Sequence, residues 1–268
     1  MPIGNCKMCL HDKPLVQSHL MARGLYDYCR TADSEPIKMG AGIIMQTSRQ
    51  TKDYLLCGQC EDVLNKGGEN WILPKLATIE KSFPLYEMLS RVTPVFDEGD
   101  LRVYNTALIP EVAADKIAHF AVGMFWKASV HSWLGGETDP RIELGPYSEA
   151  LRRFLLGHTT FPENVALLVE IVPPSAASIG ILDPCERVCD QWHTFFCYVP
   201  GILFALSVGK QLSEEIRTGC FVGNSNHPLL VSNNIHEKLE GLLKEKYFST
   251  PKSRQLQAAM EAQRRRRR

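Results

Sequence analysis

No feature of this chain constrains its fold as strongly as two short cysteine pairs near its start. Cys6-Lys7-Met8-Cys9 and Cys57-Gly58-Gln59-Cys60 are both C-x-x-C. Two intervening residues let a tight turn bring both sulfurs to about 2.3 Å from one metal ion. Two such pairs supply four thiolates, the soft tetrahedral set that Zn²⁺ prefers in a closed structural site. The competing reading is one redox pair with two buried free cysteines. It is the weaker one, because no βαβ pattern surrounds either pair. A structural zinc held by Cys6, Cys9, Cys57 and Cys60 is therefore expected.

The chain has 268 residues, enough for one large domain or a small one beside a larger one. Its 44% apolar and 22% charged content is that of an ordinary soluble globular protein. Met1 to Cys6 lacks a basic start followed by an apolar core, so no signal peptide is expected. The longest apolar run, Phe195 to Val208, is broken by Pro200-Gly201 and is too short to span a bilayer, so no membrane association is expected. Nine cysteines without a leader point to a reducing compartment, here the cytoplasm, where they serve as ligands or core residues. The zero net charge conceals an asymmetry. From residue 251 onward there are seven basic residues and one acid; removing these from thirty of each leaves 23 bases and 29 acids in residues 1–250. A mildly acidic body lacks the overall basic face usual in a nucleic-acid reader, although a local basic patch would suffice.

Local patterns place the elements. Leu15 to Leu20 reads as a short strand leaving the first cysteine pair, and Tyr54-Leu55-Leu56 as a strand running into the second. Residues 24–52 read as an irregular insertion with a hairpin near Ile43-Ile44-Met45. A helix is expected to start near Cys60, its early acids favoured by the positive end of the helix dipole, and to be interrupted by Gly67-Gly68. Further on, helices are expected over 79–92, 111–133, 148–156 and 235–247. Strands are expected over 100–108 and 164–172, and as a pair about Pro200-Gly201. The segment 111–133 is apolar nearly all round, which predicts a central helix of the larger core.

Knuckle, strand pair and a helix starting at the second knuckle form the order of a treble-clef zinc module. On those residues the segment 6–76 resembles the HNH-type (ββα-metal) nucleases of the zinc-bound kind, and Ser18-His19, Leu55-Leu56-Cys57 and Cys60-Glu61 are similar to a bacterial HNH-like group. The resemblance implies that His19, ten residues beyond Cys9, is the general base. It implies that Glu61, where the family usually has a histidine, contacts a catalytic divalent ion such as Mg²⁺ or Mn²⁺. It further implies that Asp53, near the family's orienting Asn, holds His19 by accepting from its other ring nitrogen. Two departures stand out. Ser18 replaces the family's Asp or His and is a poor ligand, and one carboxylate alone holds a hard ion weakly. Glu69 and Asn70 are further candidates whose direction, beyond Gly67-Gly68, the sequence does not give.

The expected architecture is α+β: a treble-clef zinc module over residues 1–76, a larger helix-and-strand domain over 77–250, and a basic, disordered tail over 251–268. The expected function is hydrolysis of phosphodiester bonds in DNA or RNA. The alternative is a catalytically silent zinc module that binds nucleic acid or protein, with a protein partner recognised through residues 77–250. Lesser features have bland readings beside sharp ones. Cys185, Cys189 and His193 lie four residues apart and on a helix would share a face, but closed sites draw on two elements and cysteine is commonly a small core residue. Trp126, Lys127 and Trp133 read as core and rim residues rather than a base-stacking platform. Arg264–Arg268 reads as solvated tail, with salt-sensitive phosphate binding as its functional alternative.

Overall fold

The computed structural model describes residues 1–26, 28–29, 37–40, 43–46, 50–133, 142–177, 180–188, 192–233, 240–241, 244 and 247–266. Two sheets organise it. The small one has the order β1-β2-β5, built from β1 (Ile3–Asn5), β2 (Asp12–His19) and β5 (Lys52–Cys57), all antiparallel. Between β2 and β5 the chain leaves to form the hairpin β3 (Ile37–Gly40) and β4 (Ile43–Gln46), which joins the large sheet. That sheet has nine strands in the order β4-β3-β9-β10-β11-β8-β12-β7-β6. Its other members are β6 (Phe96–Glu98), β7 (Leu101–Asn105), β8 (Val165–Ile171), β9 (Gly180–Val188), β10 (His193–Val199), β11 (Ile202–Val208) and β12 (Pro228–Ser232). Helices and two sheets together make the chain α+β.

The expected helices mostly form, with boundaries set by backbone chemistry. The segment expected over 79–92 becomes helical only at α3 (Pro84–Leu89), after α1 (Gly58–Leu64) and α2 (Asn70–Ile72). Proline has no N–H to donate and fits the first turn of a helix, so the helix begins there rather than passing through it. The central helix is α4 (Ala114–Val130), followed by α5 (Tyr147–Leu155) and α6 (Glu214–Thr218). Ile117, Phe120, Phe125 and Trp126 of α4 are fully buried or nearly so, as an all-round apolar pattern demands. Strands β10 and β11 turn at Pro200-Gly201, where Gly201 has φ 93°, a left-handed conformation that other residues adopt at a cost.

Two expectations take a different form. The interruption expected at Gly67-Gly68 is a change of helix type and not an end. A π-helical turn, Asn65–Glu69, carries α1 directly into α2. Absent side chains there let α4 approach: a Cβ on Gly68 would lie 2.5 Å from Lys116 O and 2.6 Å from Phe120 N. The second correction concerns the expected disordered end. Residues 254–266 form α7 (Arg254–Arg266), entered through a bridge between Lys252 and Ile44. Leu256, 4% exposed, packs with Ile44, Tyr198 and Leu203, and Met260 lies one turn further along against the same cluster. The helix expected over 235–247 falls largely outside the described residues.

A single hydrophobic cluster runs across residue 76. It contains Cys6, Met8, Leu56 and Leu64 from the first segment together with Val122, Phe125, Leu151 and Phe204 from the second. Among the described residues no helix is long and apolar enough to cross a membrane.

Candidate metal centre and the adjoining polar cluster

The first cysteine pair sits in the tight connection between β1 and β2. Cys6 N donates to His11 O at 3.0 Å and Leu10 N to Cys6 O at 2.8 Å, and Leu10 takes the left-handed φ of 62° that closes the turn. The second pair ends β5 and opens α1, with Cys57 as the residue that caps the helix. Cys57 N donates to Cys6 Sγ at 3.3 Å, and Lys7 N to Leu55 O at 3.2 Å, so one N–H to sulfur bond and one backbone bond lock the two knuckles together. Arg152 of α5 braces the assembly from outside, donating to Met8 O while its Nε and Nη2 bind the two oxygens of Glu149, each at 2.7 Å.

The ligand atoms of Cys6, Cys9, Cys57 and Cys60 all lie within 4.8 Å of one another. A tetrahedral ion with bonds of about 2.3 Å needs sulfurs roughly 3.8 Å apart. The donor set therefore fits one metal ion such as zinc with small adjustments. The Cys6 thiol is lowered to about 7: burial opposes ionisation, but backbone N–H groups, those of Cys9 and Cys57 foremost, outweigh it. Burial pushes the Cys9 and Cys60 thiols upward. Four thiols this close repel as thiolates, and a cation removes that repulsion. The remaining described cysteines lie elsewhere; Cys29, for instance, is raised to about 12 by burial, as an inert core thiol would be.

A polar cluster adjoins this centre where β2 ends. Ser18 is completely buried and its hydroxyl donates to Glu61 Oε2 at 2.7 Å, pinning the first turn of α1 to the strand. His19 follows it and is half-buried. Burial, then the Lys127 ammonium, hold its pKa below the ordinary imidazole value against the opposite pull of Glu61. Lys127 enters from the middle of the sequence, on the central helix α4. Its side chain is only 2% exposed, and Nζ donates to His19 O at 2.8 Å and to Glu69 Oε1 at 3.2 Å. Glu69 ends the π-helical turn, so the irregular helix sets its direction.

Asp53 has a different partner from the one expected. In the β2–β5 ladder it stands directly opposite Ser18. Its Oδ1 accepts from Tyr54 N at 2.7 Å and its Oδ2 lies 2.9 Å from His131 Nε2, so the carboxylate is engaged by His131 instead of His19. Those two contacts, the Tyr54 N–H first, hold its pKa below the usual carboxylate value. The structure thus sets Glu61 against Ser18, next to His19, and Asp53 against His131; the sequence reading puts Lys127 in the core or rim and gives His131 no site role. One signal was available for Lys127: a cation amid Met124-Phe125-Trp126 and Ala128 on a helix apolar all round must find a buried acceptor.

Cys185 and His193 lie on the neighbouring strands β9 and β10, not on a helix, and Cys189 is outside the described residues. No protein-family model, curated protein or solved structure matches the chain. What fold and site define is an α+β protein whose four clustered cysteines could hold a metal ion, with a buried polar cluster beside them.

Proposed function

We propose that this chain is an HNH-like, metal-dependent phosphodiesterase acting on DNA or RNA, with a structural Zn²⁺ on Cys6, Cys9, Cys57 and Cys60 stapling a treble-clef module. The observation that carries the reading is the Ser18–Glu61 hydrogen bond of 2.7 Å. It holds a carboxylate of α1 against the strand end that bears His19, inside a frame tied by the four cysteines. Glu61 offers the hard oxygen that Mg²⁺ or Mn²⁺ takes, and such an ion when bound would stabilise charge on the leaving oxygen of the phosphodiester. His19 would take the proton of the attacking water. A depressed pKa keeps its imidazole neutral, and so able to accept, at pH 7. Lys127 fixes the His19 carbonyl and holds Glu69 beside it.

The runner-up is a catalytically silent zinc module that binds a nucleic acid or protein partner. Its support is specific: Ser18 occupies one oxygen of Glu61, and both oxygens of Asp53 are engaged away from His19. Plasmid DNA and a single-stranded RNA, each incubated with protein and Mg²⁺ or Mn²⁺, separate the readings. The nuclease reading predicts cleavage that stops on EDTA addition and is lost in His19→Ala at unchanged zinc content. Intact substrates under all these conditions would leave the silent module.

A further inference from the structure

The two faces of the β2–β5 pair are put to different uses. Side chains directly opposite in an antiparallel ladder share a face, and the next pair along takes the other. Ser18 and Asp53 are such a pair, and both turn to protein: Ser18 to Glu61 at 2.7 Å and Asp53 to His131 at 2.9 Å. The pairs on either side of them, His19 with Lys52 and Gln17 with Tyr54, lie on the opposite face. The irregularity of this ladder falls between Val16 and Gln17, so it leaves that alternation intact. Burial follows the same division. Ser18 is buried, whereas Gln17 and Lys52 are exposed and Tyr54 is 41% exposed.

The fold makes no use of the Lys52 ammonium or the Tyr54 ring. Among the described residues no carboxylate pairs with Lys52 and no ring packs on Tyr54. A lysine across from a histidine gains no ion pair, and like charges directly opposite are destabilising. Yet Lys52 stands beside His19. Ladder partners have Cβ atoms about 4.5–5.5 Å apart, and the Lys52 charge acts behind burial and Lys127 in holding the His19 pKa down. Tyr54 follows two residues along the same strand, about 6.6 Å further on. A cation next to the imidazole and an aromatic ring one step beyond match the two repeating parts of a nucleic-acid strand, phosphate and base.

We propose that Lys52 and Tyr54 form the substrate-binding surface of this site, for a single-stranded stretch of DNA or RNA: Lys52 holds a phosphate at His19, and Tyr54 stacks on an adjoining base. The inference rests on the phosphodiesterase reading above and extends it to the form of the substrate. A ring on the protein can stack only on a base that has left its own stack, so single strands, loops and ends are bound ahead of intact duplex. Every base has a π-face, so the surface selects strand form and not sequence. Lysine suits the phosphate as a compact point charge on a flexible stem.

The test reads binding separately from cleavage. Zinc-loaded wild type, Lys52→Gln, Lys52→Arg, Tyr54→Ala and Tyr54→Phe are matched in zinc content and melting temperature. Each is titrated, without added Mg²⁺ or Mn²⁺, against a short fluorescein-labelled oligonucleotide as single-stranded DNA, single-stranded RNA and duplex DNA. Fluorescence anisotropy over a series of NaCl concentrations gives the affinity and its salt slope. Lys52→Gln should weaken binding and reduce the slope by about 0.7, as loss of one phosphate contact on a single strand does, and Lys52→Arg should restore it. Tyr54→Ala should weaken single-strand binding about 5- to 150-fold at unchanged slope, whereas Tyr54→Phe, which keeps the ring, should bind as wild type does. Unchanged affinity and slope in Lys52→Gln and Tyr54→Ala, duplex binding as tight as single-strand binding, or no binding by the wild type would each overturn this surface. Cleavage by the wild type once Mg²⁺ or Mn²⁺ is added would then still uphold the phosphodiesterase reading. Binding that follows the variants as expected, with no cleavage on adding either ion, would overturn that reading and leave the surface standing on the silent module.

Discussion

Gly68 provides a test in which two physical effects predict opposite signs. Helix propensity alone says that Gly68→Ala should stabilise the helical turn by about 1 kcal/mol. Packing says otherwise. The new methyl would sit 2.5 Å from Lys116 O, 2.6 Å from Phe120 N and 2.8 Å from Phe120 Cβ. Two of those atoms belong to the backbone of α4, so relief requires the helix itself to move. Overpacking of this kind costs about 1–3 kcal/mol, occasionally more. The shift would also draw Lys127 away from Glu69 and His19, whose contacts are made from the same helix. The expected balance is a loss of about 1–2 kcal/mol, read as a lower urea midpoint at unchanged slope. Gly123→Ala is the control. It lies in α4, and its added methyl would meet only the ends of Leu64 and Leu155, at 3.4 and 4.0 Å. That variant should be neutral or more stable by up to about 1 kcal/mol. A Gly68→Ala protein that unfolds at or above the wild-type urea concentration would refute the close-packing argument.

Other consequences follow from the same contacts. Lys127→Met leaves the Glu69 carboxylate, 15% exposed, without its cation and should cost about 3–5 kcal/mol. Adding Glu69→Gln should recover part of this in a double-mutant cycle, and a single-variant loss under 1 kcal/mol would show that the pair is not buried as described. His119 should make the protein acid-sensitive. Burial holds its pKa below the ordinary 6.5, so the unfolded chain binds protons more readily. Its contribution is complete above that value and is lost as pH falls through the lower folded-state pKa. Since Nε2 binds Leu155 O at 3.0 Å, His119→Gln can keep the donor and should flatten the acid limb of urea-midpoint measurements. An unaltered limb would assign the sensitivity to other groups.

Legibility in the sequence followed the range of the interactions involved. The cysteine pairs could be read because a knuckle is made by residues only three apart in the chain, and α4 because seventeen residues carry one continuous apolar pattern. The Pro200-Gly201 hairpin was legible for the same local reason. Strand β9 was not: Gly180 to Val188 contains Asp183, Pro184, Glu186 and Arg187, a composition that argues against a strand until neighbours on both sides pair with it. The polar cluster was half legible. Ser18, His19 and Glu61 lie beside the knuckles. The partner of Asp53, however, is 78 residues away, and Lys127 is 108 residues from the carbonyl it binds. Propensity cannot report such pairs, since tertiary packing decides them.

The account depends most on the four thiolates holding one ion, because that ion would fix the end of β5 and the start of α1 on which Glu61 and the neighbouring Ser18-His19 are arranged. Elemental analysis of freshly purified protein, with protein concentration from amino-acid analysis, tests this directly. The expected result is one equivalent of zinc per chain, falling with loss of folded structure in Cys57→Ser and Cys60→Ser, since four-cysteine zinc binding supplies on the order of 10 kcal/mol of folding energy. Less than half an equivalent in the wild-type protein would contradict it.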